Sequence, residues 1–160
     1  MEKKILLAVD NSRHSRNAIH YAVHVSSFVK NLHYVLFNIQ PAISLFLKDE
    51  AKKSLTVKSQ LENVVKKNKE AALGDKACVE EFYPLTKKKF KDAGISQDQI
   101  EMKTVKGGRQ VGKIILDFAL KGNYGTVVIG KRGINKAFFM GSVSRYIINR
   151  ISNRSLWIVT

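Results

Sequence analysis

The sequence predicts a doubly wound α/β domain with a parallel sheet, and three observations carry that expectation. Short apolar runs recur along the chain, and most are continuous rather than alternating, which is the pattern of strands buried on both faces. Amphipathic stretches with helical spacing lie between them. The first run and the one at 126–129 end in Asp-Asn-Ser and in Gly, residues that turn a chain or cap a helix. Strands alternating with helices pair in parallel through right-handed crossovers and carry helices on both faces.

The elements follow in order. Ile5 to Val9 is the first buried strand and stops at Asp10-Asn11-Ser12. Ala18, Ala22, Val25 and Val29 then recur at helical spacing, with Ile19 and Phe28 widening the apolar face and Arg13, Arg16, Asn17, His20 and His24 on the other side. Tyr34 to Ile39 is the second strand, stopped by Pro41. The stretch from Ala42 to Asp75, apolar at first and then Lys-rich, reads as an insertion or long connection, at about 42–75, before a helix carrying Phe82, Phe90 and Ala93. Ile100 to Val105 is a short strand, followed by Gly107-Gly108 and a helix with Val111, Ile114, Ile115 and Phe118 as its stripe. Gly122 and Gly125 bracket the end of that helix, Thr126 to Ile129 is a further strand, and Gly130 to Met140 is a loop. Val143, Ile147 and Ile151 mark the last helix and Leu156 to Val159 the last strand. With no internal repeat and no Gly/Ser- or Pro-rich linker, residues 1–160 read as a single domain.

The bulk properties narrow the class. A chain of 160 residues, 44% hydrophobic, encloses a substantial core. No run reaches the roughly 18 apolar residues of a membrane span, and the short run after Met1-Glu2-Lys3-Lys4 does not read as a signal peptide. Cys78 is the single cysteine, so no internal disulfide forms, and the expected location is cytoplasmic. The net charge of +15 favours anionic partners without choosing among nucleotide, nucleic acid and acidic lipid.

In an open parallel sheet, ligands bind beyond the carboxyl ends of the strands. Asp10 and the loop from Gly130 both stand at such ends. In Gly130-Lys131-Arg132-Gly133, glycine allows positive φ and close approach of a backbone N–H to a phosphate. After seven intervening residues Gly141-Ser142 opens a helix, whose amides and dipole point toward an anion, and the Ser142 hydroxyl adds a donor. Spacing alone leaves a second reading open, in which the glycines make a turn and Ser142 only caps the helix.

Together these residues resemble the universal stress protein family, whose nucleotide-binding members carry Gly-x2-Gly-x9-Gly-Ser/Thr after the fourth strand. Gly130 and Gly133 match its first pair and Gly141-Ser142 its close. Val9-Asp10-Asn11-Ser12 with Ser15, Ala18 and Ala22 matches its Asp-x-Ser-x-x-Ser-x-x-Ala-x-x-x-Ala opening. The resemblance covers both ends and the general layout outside Ala42 to Asp75. It implies a Rossmann-like, adenine nucleotide alpha hydrolase-like fold with five parallel strands in the order 3-2-1-4-5. It implies a homodimer through the last strand, Leu156, Trp157, Ile158 and Val159. For the ligand it implies ATP or a related adenine nucleotide, with Mg or Mn beside the phosphates. Asp10 would contact the ribose, and backbone around Val9 and Ile39 would line the adenine pocket. The phosphates would lie at Gly130, Lys131, Arg132, Gly133, Gly141, Ser142 and Val143. One departure stands out: seven residues rather than nine separate Gly133 from Gly141, and Phe138, Phe139 and Met140 form an apolar plug just before Gly141, while Lys131, Arg132 and Lys136 add positive charge.

Other residues point to less chemistry. His20 and His24 lack further ligands and read as solvent-exposed, and Cys78 as a structural thiol. Lys87, Lys88, Lys89 and Lys91 read as a solvated helix face, with a docking patch for acidic surfaces as the second reading, and Trp157 as core or dimer packing. No general base is apparent for phosphoryl transfer, so the chain reads as a binder with at most slow ATP hydrolysis. Three classes remain: a nucleotide-binding stress or signalling module, a dimeric interaction scaffold that binds no nucleotide, and, ranked last, a nucleic-acid-associated protein motivated by charge alone.

Overall fold

A computed structural model describes residues 3–10, 12–41, 82–107, 110–133 and 140–160. The expectations placed on Asn11, the Ala42 to Asp75 connection, Cys78, Gly108, Lys136, Phe138 and Phe139 lie outside these residues.

Strand β1 (Lys4–Val9) leads into helix α1 (Arg13–Ser26), then strand β2 (His33–Pro41). Helix α2 (Tyr83–Asp92) and a 3-10 turn (Gln97–Gln99) precede strand β3 (Ile100–Gly107). Helix α3 (Val111–Lys121), strand β4 (Thr126–Gly130), helix α4 (Ser142–Ile148) and strand β5 (Ser155–Val159) complete the order. The five strands form one sheet in the order β3-β2-β1-β4-β5, every neighbouring pair parallel, as the family resemblance implied.

The continuous apolar runs are explained by two cores. Successive strand residues point to opposite faces, so Ile5, Leu7, Val9, Tyr34 and Leu36 pack with Ala18, Ile19 and Ala22 of α1 and Phe90 of α2. Leu6, Val35, Phe37, Val127 and Ile129 pack on the other face, with Ile115 and Ala119 of α3 and Ile147 of α4. Phe37 stacks on Phe118 with ring centroids 4.2 Å apart. Helices α3 and α4 approach closely at Gly112, where a Cβ would come within 2.9 Å of the Tyr146 Cβ.

One expectation for α1 is corrected. The helix stops at Ser26, and Phe28 and Val29, expected on its apolar face, lie beyond it and are exposed, Phe28 by 77%. The chain turns at Ser27 and passes through Asn31 at positive φ, so the helical phase does not carry past Ser26. His20 and His24 are exposed, and Trp157 is half-buried with its ring edge-on to Tyr21.

The first core contains a buried phenol. Tyr34 shares a hydrogen bond with the Ser26 hydroxyl at 2.8 Å. Burial pushes its pKa above the usual 10.0, and the Ser26 contact pulls part of the way back. Tyr124 is pushed up as well, by burial first and then by the Glu101 carboxylate. Raised phenol pKa values favour the neutral form in the folded state. Their contribution is complete below the unfolded value of about 10 and is lost as pH rises through the folded values. Urea denaturation is therefore expected to show stability falling above pH 10. Tyr34→Phe should lower stability at neutral pH but flatten that alkaline decline.

Candidate functional site

β1 and β4 are adjacent, yet the helices that follow them leave to opposite faces of the sheet. Chain that diverges in this way opens a crevice at the strands' carboxyl ends. A cavity of about 530 Å³ lies there.

Its first wall is built by the turn from β1 into α1. The Ser15 hydroxyl accepts from the Asp10 N–H at 3.0 Å and donates to the Ala8 carbonyl at 3.4 Å. Ser12 caps α1 by accepting from the Ser15 N–H at 3.1 Å, and its own N–H donates to Asp10 Oδ1 at 3.2 Å. These bonds hold the Asp10 carboxylate at the cavity wall. Asn38 of β2 donates to the Val9 carbonyl at 3.0 Å, tying the strand ends together.

The glycine segment forms the adjoining part of the wall. A Cβ on Gly133 would lie 2.6 Å from Asp10 Oδ2, so only glycine lets this backbone pass the carboxylate undisturbed. A Cβ on Gly130 would come within 2.9 Å of the His14 backbone carbon, which fixes how closely α1 approaches β4. Positive φ, which glycine permits, is not used at these positions: among the described glycines only Gly94 has one. Close approach, not backbone handedness, is what these two positions require.

The two ends of the loop are joined by Lys131. Its N–H donates to the Val159 carbonyl at 2.7 Å, and its carbonyl accepts from the Gly141 N–H at 3.0 Å and the Ser144 hydroxyl at 2.9 Å. This corrects the expectation that the Gly141 amide is available to an anion, because the loop's own closure uses it. Ser144 also donates to the Gly141 carbonyl at 3.1 Å, and among the described residues no side chain caps the first turn of α4.

The structure brings Val9, Asp10, Ile39, Gly130, Arg132, Gly133, Gly141, Ser142 and Val143 to the cavity wall. Lys131 is not among the lining residues; its backbone is spent on the staple just described. Arg132 lines the cavity, and its Nε is buried with no hydrogen-bond partner among the described residues. Such an atom is costly unless something pairs with it. Phe37, Ser15, Gly107 and Val111 also line the wall and were not singled out from sequence as site residues. Phe37 was within reach of sequence reasoning, since a residue two positions from Ile39 on one strand shares its face. Among the described residues no group of His, Cys, Asp and Glu is arranged to hold a metal. Nor is any helix there long and apolar enough to cross a membrane.

The family model for the universal stress proteins matches residues 1–159. No curated protein matches the chain. Among solved structures, hypothetical protein MJ0577 is 20% identical with a TM-score of 0.65, covering 99% of this chain and 96% of its own. A universal stress protein in complex with cAMP is 17% identical with a TM-score of 0.63, covering 98% of this chain and 96% of its own. A universal stress protein family protein from Arabidopsis thaliana with AMP bound is 14% identical with a TM-score of 0.56, covering 98% of this chain and 90% of its own. At these identities the likeness shows the fold.

Proposed function

Because the chain belongs to the universal stress protein family, we propose that it binds an adenine nucleotide, with ATP as the expected ligand, and acts as a stress-response or signalling module. The observation that carries this reading is the meeting of Asp10 and Gly133 in the wall of a cavity of about 530 Å³, a volume in the range of small-molecule sites. In this reading the base lies toward Phe37 and Ile39, the ribose hydroxyls at the Asp10 carboxylate, and the phosphates along Gly130 to Gly133 and the Ser142 and Val143 amides. The buried Arg132 Nε and its guanidinium supply charge for a phosphate. Solved family members holding cAMP and AMP support the choice of adenine. Mg or Mn would be held mainly by the nucleotide's own phosphates and water, as Mg usually is. Pairing through β5 as a homodimer and a cytoplasmic location belong to the same proposal.

One observation favours the alternative, a scaffold that binds no nucleotide: the Gly141 amide is already engaged by Lys131. Calorimetric titration of the full chain with ATP, ADP and AMP, each with and without Mg²⁺ or Mn²⁺, separates the two. Saturable binding at one site per chain is expected. A folded protein that gives no heat with any of them leaves the scaffold reading in its place.

A further inference from the structure

The nucleotide cavity lies on the α3 and α4 side of the sheet, lined by Val111, Ile115 and Val143. The opposite layer is α1 beside α2, of which only Ser15, in the first turn of α1, reaches the cavity. Arg16 of α1 lies over the Phe82 ring at the start of α2, with its guanidinium carbon 5.9 Å from the ring centroid, so the two helices form one continuous surface. Both run from the carboxyl to the amino ends of the strands, because α1 leaves β1 and α2 leads into β3.

Among the described residues, the outward side of this layer is predominantly basic. Arg13 and Arg16 of α1, Lys30 just beyond it, and Lys88, Lys89 and Lys91 of α2 are exposed. Helix α1 contains no acidic residue and α2 only Asp92. Large apolar side chains stand among these cations: Leu85 is 61% exposed in the first turn of α2, and Phe28 77% exposed just past the far end of α1. Tyr21 and Val29 are exposed as well, by 48% and 40%.

We propose that the α1–α2 face docks on an anionic lipid surface. Cations alone would suit any polyanion. The apolar residues decide between partners. A phosphate backbone offers Leu85 nothing to pack against, whereas the boundary between headgroups and acyl chains accepts apolar side chains and pairs lysines with lipid phosphates at once. Two helices lying side by side present a broad layer that can rest on such a plane, with Leu85 toward one end of it and Phe28 toward the other. The nucleotide cavity would stay open on the side turned away from the lipid.

The test is sedimentation of the full chain with vesicles of phosphatidylglycerol and phosphatidylcholine, against vesicles of phosphatidylcholine alone. Binding is expected only to the anionic vesicles. Replacing Lys88, Lys89 and Lys91 together by Gln should weaken it by on the order of a hundredfold, at about fivefold for each lysine. Phe28→Ser leaves the charge unchanged and should weaken binding several-fold while making it more salt-sensitive. All these side chains are exposed, so the variants should melt with the wild type and titrate nucleotide as it does. Absence of binding to anionic vesicles at low salt would overturn the proposal. So would wild-type binding by both variants, or tight binding of duplex DNA that the lysine changes abolish and Phe28→Ser leaves intact.

Discussion

Gly133→Val is expected to weaken nucleotide binding by roughly thirty- to a hundredfold while leaving the protein folded. Any Cβ at this position begins 2.6 Å from Asp10 Oδ2, well inside contact distance. The atom it meets is the end of a side chain, so the carboxylate swings away and the fold absorbs the change. The Asp10 backbone and Oδ1 are tied by Ser15 and Ser12, so rotation breaks the Ser12 contact as well as the aim of Oδ2. Losing a hydrogen bond to a charged group, about 2–3 kcal/mol, converts to that loss of affinity. Gly133→Ala should lose less, because its methyl group leaves more of the wall open. Calorimetry of both variants, with melting curves as the control for folding, reads the effect. Unchanged affinity in Gly133→Val would remove this stretch from the site.

Phe90→Ala should produce the largest loss of stability. The side chain is fully buried between α2 and the sheet, its ring edge-on to Tyr34 at a centroid distance of 4.9 Å. Truncating a buried phenylalanine costs about 3–5 kcal/mol through lost transfer energy and the cavity left behind. For a domain of this size that corresponds to a fall in melting temperature of roughly 6–20 °C. Leu85→Ala on the same helix removes an exposed side chain and should change stability by no more than about 0.5 kcal/mol. A Phe90→Ala variant that melts with the wild type would contradict the placement of α2 against β2.

These two residues also show what the sequence could and could not disclose. Phe90 could be assigned to the helix after the long connection, and the strands could be found because a strand buried on both faces is apolar throughout. Val9, Asp10 and the glycines could be placed at one end of the sheet because strand ends and turn residues are local signals. What Gly133 does was not legible, since its need for glycine arises from a carboxylate more than a hundred positions away in the chain. The same holds for the Gly141 amide: a helix start has open donors in principle, and only the folded loop shows Lys131 taking one of them. The exposure of Phe28 escaped for a different reason. No Gly or Pro marks the end of α1, so the apolar periodicity seemed to run on.

The most direct measurement is the crystal structure of the full chain grown with ATP and Mn²⁺. The proposed binding mode requires adenine density beside Phe37 and Ile39, ribose hydroxyls on the Asp10 carboxylate, and phosphates against Gly130 to Gly133 with the Arg132 guanidinium paired to one of them. Nucleotide bound elsewhere, or a cavity that holds none at saturating ATP, would contradict it.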